Sequence, residues 1–189
     1  MSERKDPFLA ELTAHDQEIL DAALAKLSPI VPRASARDAL LEDAARTHRF
    51  DELVAPFAEA CDLEPAEAER LLLGVDDPAR WSAGPAPWIH LIHFEGGPKT
   101  ARCITGIVRI DPGKSFPRHG HLGEETVLVL QGRARSEGRT YGRGDVLRAG
   151  PDDEHEVEVV SDIPLIYLAV VAEGIRLGED TITFDDPRG

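Results

Sequence analysis

Two histidines separated by a single residue, His119 and His121, precede a glutamate, Glu125, in the stretch Gly113-Lys-Ser-Phe-Pro-Arg-His119-Gly-His121-Leu-Gly-Glu-Glu125-Thr-Val-Leu-Val-Leu-Gln-Gly132. In an extended chain, residues two apart face the same way, so both imidazoles can lie on one side of a sheet. Glu125 lies an even step beyond His121. A chain that stays extended brings its carboxylate to the same side and leaves Glu124 pointing away. Imidazole with one carboxylate suits a divalent transition metal such as zinc, iron, manganese, nickel or copper, and leaves coordination positions open to water or another ligand. Such a site serves either chemistry or sensing.

These side chains need short strands to hold them, and the texture of the chain changes to supply them. Beyond Pro87, apolar runs with a period near two alternate with Gly, Pro and Asp. Expected strands are 88–94, 103–110, 125–130, 133–136, 145–148, 156–160, 165–171 and 181–184, separated by turn formers such as Glu95-Gly96-Gly97-Pro98, Asp111-Pro112-Gly113 and Ser136-Glu137-Gly138. Many short strands with no helix between them indicate an antiparallel sandwich or barrel of the jelly-roll kind. Before Pro85 the period is helical. Helices are expected at 9–27, from Ala34 to about Arg46, at 50–61 with Pro56 as a kink or split, and at 65–73, with a short helical turn at 76–81. Gly84-Pro85-Ala86-Pro87 reads as the linker, dividing a helical segment, 1–84, from a β-domain, 85–189.

Composition narrows the possible partners. Apolar residues make up 42% of the chain, enough for a packed core, and the formal net charge is −14. Residues 1–80 carry nine Lys/Arg against eighteen Asp/Glu, and the remainder twelve against seventeen, so both parts are acidic. Such a surface repels nucleic acid, which excludes direct DNA or RNA binding, but it tolerates a basic protein partner. No apolar run approaches the roughly 20 residues that span a bilayer, and the N-terminus lacks a signal-peptide core, so a cytoplasmic protein without membrane association is expected. Cys61 and Cys103 form no Cys-x-x-Cys motif, and a structural disulfide is not expected between them.

A lone His-x-His is more often an exposed polar turn than a metal site. Here the spacing G-x5-H-x-H-x3-E-x6-G is complete and resembles the first motif of the cupin superfamily. That resemblance implies an RmlC-like jelly-roll β-barrel, with the two histidines and the glutamate as metal ligands and a fourth, histidine ligand from a second motif. The second motif matches Gly144-Asp-Val-Leu-Arg-Ala-Gly150-Pro151-Asp152-Asp153-Glu154-His155, which makes His155 the fourth ligand. Three departures stand out: Pro151 comes one position late, Asp152 replaces a glycine, and Val159 stands where an asparagine is common. The further runs Asp77-Pro-Ala-Arg-Trp81, Phe94-Glu-Gly-Gly-Pro98, Gly106-Ile-Val-Arg-Ile110 and Val127-Leu-Val-Leu-Gln-Gly132 are similar to the cupin half of ChrR-type anti-sigma factors, over roughly 76–175. In that family the cupin binds zinc and takes part in stress sensing, while a helical domain with its own zinc sequesters a sigma factor. The N-terminal H-x3-C-x2-C zinc motif has no counterpart here, since His15, His48 and Cys61 do not approach its spacing.

Two readings of function remain open. One is a regulatory, ChrR-like metal-binding cupin with a sigma factor or another basic protein as partner. The other is a small mononuclear metal enzyme, a dioxygenase, isomerase or lyase, with a small molecule at the open metal position. Whether the chain is an enzyme is left open. One divalent ion is expected, zinc first, with iron, manganese or nickel as alternatives, and the resemblance implies a homodimer. His90 and His93, three apart on one expected strand, should face opposite sides, so that only one can line the barrel mouth. Cys103 is either a small buried residue or a redox-sensitive thiol. No role is assigned to Tyr141, Tyr167, Arg102, Arg109 or Glu156.

Overall fold

The computed structural model describes residues 34–186. The helix expected at 9–27 and His15 lie outside them. Among the described residues, three helices precede the strands: α1 (Ala34–His48), α2 (Val54–Cys61) and α3 (Pro65–Leu73). Residues 44–189 form one compact unit, and the first part of α1 belongs to another. The helices are short. The split expected near Pro56 falls earlier, where a 3-10 turn, Asp51–Leu53, gives way to α2. Pro56 sits in the first turn of that helix, where a missing N–H costs nothing because no carbonyl awaits it. Pro65 starts α3 with its preset φ. A further 3-10 turn at Pro78–Arg80 is capped by the Asp77 carboxylate, which accepts from the Ala79 N–H at 2.9 Å.

Twelve strands follow: β1 (Ser82–Ala83), β2 (Ile89–His93), β3 (Cys103–Ile110), β4 (Ser115–His121), β5 (Glu125–Gln131), β6 (Arg133–Ser136), β7 (Arg139–Gly142), β8 (Val146–Ala149), β9 (Glu154–Val159), β10 (Leu165–Ala172), β11 (Gly174–Leu177) and β12 (Asp180–Thr183). They pair antiparallel in two six-stranded sheets, ordered β1-β2-β3-β10-β5-β8 and β12-β11-β4-β9-β6-β7. The expectation of a closed barrel is therefore corrected. The ladders do not run continuously from one sheet into the other, because each sheet ends in strands of only two to four residues. Strand β4 is absent from the expected strands, although His119 and His121 are read on an extended segment, and β1, β7 and β11 were not anticipated at all. The last three are too short to carry a periodic signal and are held by their partners. The β6–β7 hairpin turns on Glu137 and Gly138, both with positive φ, the two-residue geometry that matches strand twist.

The first sheet is buried on both faces. Its inner face, with Ile89, Val108, Val127, Val129, Leu165 and Tyr167, packs against Phe116, Ala134, Val157 and Val159 of the second sheet. Its outer face, with Ile92, Ile107, Leu128, Leu130, Ile166 and Leu168, packs against Phe57, Cys61, Ala68 and Leu72 of the helices. This explains why β3, β5 and β10 read as nearly continuous apolar runs: a strand covered on both sides has no solvent face to mark with polar residues.

One loop ties the helices to the first sheet. Asp62, in the left-handed conformation at the end of α2, accepts from the Lys99 backbone N–H at 2.9 Å and from its Nζ at 2.8 Å. The Cys61 carbonyl accepts from the Gly97 N–H and the Thr100 hydroxyl, both at 2.8 Å. The backbones approach so closely that a Cβ on Gly97 would lie 1.8 Å from the Asp62 carbonyl oxygen. Replacing Gly97→Ala should cost about 1–3 kcal/mol of unfolding free energy, measured by urea titration, because backbone rather than a flexible side chain must move.

Candidate metal centre

Strand β4 enters the interior with Phe116 and leaves it with His119 and His121. Phe116 and His119 are an odd three residues apart, and a regular strand would aim them to opposite faces. Their cross-strand partners, Val157 and His155, are only two apart, so β4 carries one extra residue at Pro117-Arg118. This bulge turns His119 inward and places a residue without a backbone N–H where the ladder is already interrupted. His155 lies directly opposite His119 on β9, whose burial alternates residue by residue, with Glu154 and Glu156 outside and His155 and Val157 inside.

Glu125 reaches the site by another route than the extended chain expected from its even spacing. The chain turns at 122–124, and Glu125 opens β5 in the facing sheet. Its carboxylate therefore comes across the interior towards three imidazoles of the second sheet. Glu124 is exposed, as expected.

The four side chains expected from sequence, His119, His121, Glu125 and His155, are all buried and offer ligand atoms within 4.8 Å of one another. His119 Nε2 and His155 Nε2 are 3.2 Å apart, and Glu125 Oε2 lies 3.1 Å from both His121 Nε2 and His155 Nε2. Two bonds to backbone fix the ring orientations. His119 Nδ1–H donates to the Pro117 carbonyl at 2.9 Å, and His121 Nδ1–H donates to the Asp153 carbonyl at 3.1 Å. A carbonyl can only accept, so Nδ1 carries the proton and the Nε2 lone pair of the neutral ring faces the centre. His121 Nε2 and Glu125 Oε2 are buried and have no well-aligned partner beyond the cluster itself. Lone pairs and a carboxylate oxygen packed at these separations repel one another unless a cation lies among them. The separations suit one: nitrogens bound at about 2.1 Å to a tetrahedral ion sit roughly 3.4 Å apart. The cluster could therefore hold a metal ion, with carbonyl-anchored histidines of the kind that orient metal ligands.

Electrostatics set the charge of each group differently in the absence of an ion. Burial pushes His119 down to about 4 against the pull of Glu125, so its ring is neutral near pH 7. Burial also works against charge on Glu125, but the His121 and His155 nitrogens beside it hold its carboxyl down at about 2. For His121 burial is outweighed by Glu125 and Asp153, and its pKa is raised.

The departures in the second motif do not displace His155. Pro151 and Asp152 form the turn between β8 and β9, where the Asp153 carboxylate accepts from the Gly150 N–H at 2.8 Å and its carbonyl anchors His121. Val159 is a core residue. His93 is exposed and edges the cavity that His119 and Glu125 also line, while Ile92, its neighbour on β2, faces the helices. Sequence reasoning missed Tyr167 and Phe116, which also line this interior. The alternation of Leu165, Tyr167, Ala169 and Val171 along β10 held the signal, but with both faces apolar it did not say which face was inner. Of the other residues without a role, Arg102 and Glu156 are exposed and Arg109 pairs with Asp111. Cys61 and Cys103 belong to the outer cluster, both as free thiols.

A family model described as the ChrR cupin-like domain matches residues 72–172. The anti-sigma-E factor ChrR of Cereibacter sphaeroides is 34% identical over 79 residues, which cover 42% of this chain and 37% of that protein, so this chain spans well under half of its relative. Among solved structures, a chain in the Rhodobacter sphaeroides complex of SigE with the anti-sigma ChrR aligns at TM-score 0.49 and 20% identity, covering 84% of this chain and 76% of that one. An acetylacetone dioxygenase from Acinetobacter johnsonii aligns at TM-score 0.51 and 14% identity, over 60% and 85%. At these identities the likeness to solved structures concerns the fold alone.

Two outcomes are expected. His121→Ala should weaken metal binding by at least about 100-fold, since even loss of a residue that merely orients a ligand costs about 10–100-fold, and elemental analysis after dialysis should register it. In the metal-free protein, His119 has a folded pKa below its ordinary 6.5. Its contribution to stability is present above pH 6.5 and is lost as pH falls through about 4, because the unfolded chain takes up the proton first. His119→Gln should therefore flatten the loss of melting temperature between pH 6.5 and 4 in chelator-treated samples.

Proposed function

Since this chain belongs to the ChrR cupin-like domain family, we propose that it is a regulatory protein in which one divalent metal ion, zinc first, is held by His119, His121, Glu125 and His155. A zinc ion bound there would supply a fixed positive centre with room for a further ligand. The state of that centre governs how the helical segment, 1–84, engages a partner protein, and a sigma factor is the first candidate. The observation that carries this reading is the buried cluster itself: three imidazoles and a carboxylate whose ligand atoms converge, inside a domain of this family.

The partner half of the reading draws support from three features. The matched relative is by name an anti-sigma-E factor. The helical segment carries twice as many acidic as basic side chains, which suits a basic partner. Leu40 and Leu41 on α1 are 70% and 54% exposed, an apolar surface of the type that partner helices cover. The β-domain, 85–189, is a jelly roll in this reading and pairs as a homodimer. Binding of a sigma factor here does not use the zinc motif of the N-terminal ChrR domain, which this sequence lacks. The likeness to a dioxygenase is one of fold, and fold does not carry an activity, so the enzymatic reading has no support of its own. Among the described residues no helix is long and apolar enough to cross a membrane.

Elemental analysis of protein purified without added metal, combined with a pull-down from cell extract, tests the proposal. Equimolar zinc and a retained sigma factor are expected. Iron, manganese or nickel with no retained protein would turn the reading towards an enzyme.

A further inference from the structure

The two sheets enclose a cavity of about 100 Å³ in front of the four-residue cluster. Its walls are almost entirely hydrocarbon: Leu91, Ile104 and Val108 from the first sheet, Phe116 and Ile175 from the second, and Val171 beside Glu125. Apart from the cluster residues His119 and Glu125, the polar side chains on its lining are His93 and Tyr167. Tyr167 is 4% exposed and lies near enough to Glu125 to feel its charge, and no described residue hydrogen-bonds its hydroxyl. His93 and Ile104 also line a larger cavity, together with Phe94, Thr100 and Phe184, so the two adjoin at these residues.

We propose that this cavity binds a small aliphatic molecule carrying one anionic oxygen group, a short-chain carboxylate being the simplest, with Tyr167 as its positioning hydrogen-bond donor. The proposal rests on the metal reading of the cluster and names the class of signal that such a centre would take. Size sets the first limit. An apolar cavity of about 150 Å³ holds the six heavy atoms of benzene, so about 100 Å³ takes about four, the carbons of butyrate, with its two oxygens directed at the ion and at Tyr167. Wall chemistry sets the second, because a polyhydroxylated molecule would leave polar groups unpaired against aliphatic side chains. Charge sets the third. A dication with one carboxylate and three neutral imidazoles leaves one net positive charge in a medium that screens poorly, which one anionic group neutralises and two overshoot. A carboxylate bound through one oxygen offers its other oxygen as acceptor for the Tyr167 O–H, the donor that the fold leaves unused.

The test uses the full chain loaded with zinc, its metal content measured in every sample, and calorimetric titration with butyrate, malonate and octanoate. Butyrate should bind at least ~10-fold more tightly than the dianion or the longer chain, and should change the visible spectrum of the cobalt-substituted protein. Tyr167→Phe should weaken butyrate by about tenfold at unchanged metal content, the effect of one lost hydrogen bond to a charged group. Leu91→Phe, which fills the cavity away from the cluster, should abolish butyrate binding and leave the metal in place. Failure of butyrate to bind the zinc-loaded protein, equal affinity for malonate, or an unaltered Tyr167→Phe variant would overturn the inference while leaving the metal centre standing. A protein that retains no metal would remove both.

Discussion

Three imidazole rings and a carboxylate, all buried and with their ligand atoms within 4.8 Å of one another, need positive charge among them to be stable in an apolar interior. Several features of the structure follow from this requirement. The bulge at Pro117-Arg118 exists to bring a residue at the wrong parity to the inside. The Pro117 and Asp153 carbonyls take the Nδ1 protons of His119 and His121, so that the opposite nitrogens face inward. Glu125 supplies the charge from across the interior, which means the site links the two sheets as well as adjoining strands.

The first sheet makes that link consequential for the helices. Strands β5 and β10 present the cavity on one face and the helical cluster on the other, at successive residues. Tyr167 lines the interior while Ile166 and Leu168 pack under the helices. Glu125 opens the strand whose Leu128 and Leu130 support the same cluster. A change in what surrounds Glu125 is thus only a few residues away from the packing surface of α2 and α3. The loop holding Gly97 and Lys99 against the end of α2 adds a second connection, made of backbone hydrogen bonds and an ion pair with Asp62. This proximity is the physical basis on which a metal-site sensor could address a partner through its helical segment.

Much of this was legible in sequence because the relevant patterns are local. Short β-rich runs bounded by turn formers marked β3 and β6 at their observed bounds, and Pro65 with its acidic first turn marked α3. The parity of His119 and His121 put them on one face, and the second motif identified His155 despite its irregular turn. Short polar strands such as β7 and β11 were not legible, because their stability comes from cross-strand partners that no local window contains. The even spacing of Glu125 led to the right residue by the wrong geometry, since the chain turns where an extended strand was expected.

Sequence by itself determined which residues could bind a cation, that they belong on strands, and that the chain is acidic and mainly β after residue 85. Those properties reside in side-chain chemistry and in the period of apolar positions. Only the tertiary structure decided that the strands form two separate sheets, that Glu125 faces the histidines from the opposite one, and that Tyr167 and Phe116 share the cavity with them. Contacts across an interior join residues far apart in the chain, and a strand buried on both faces carries no polar mark of which side faces in.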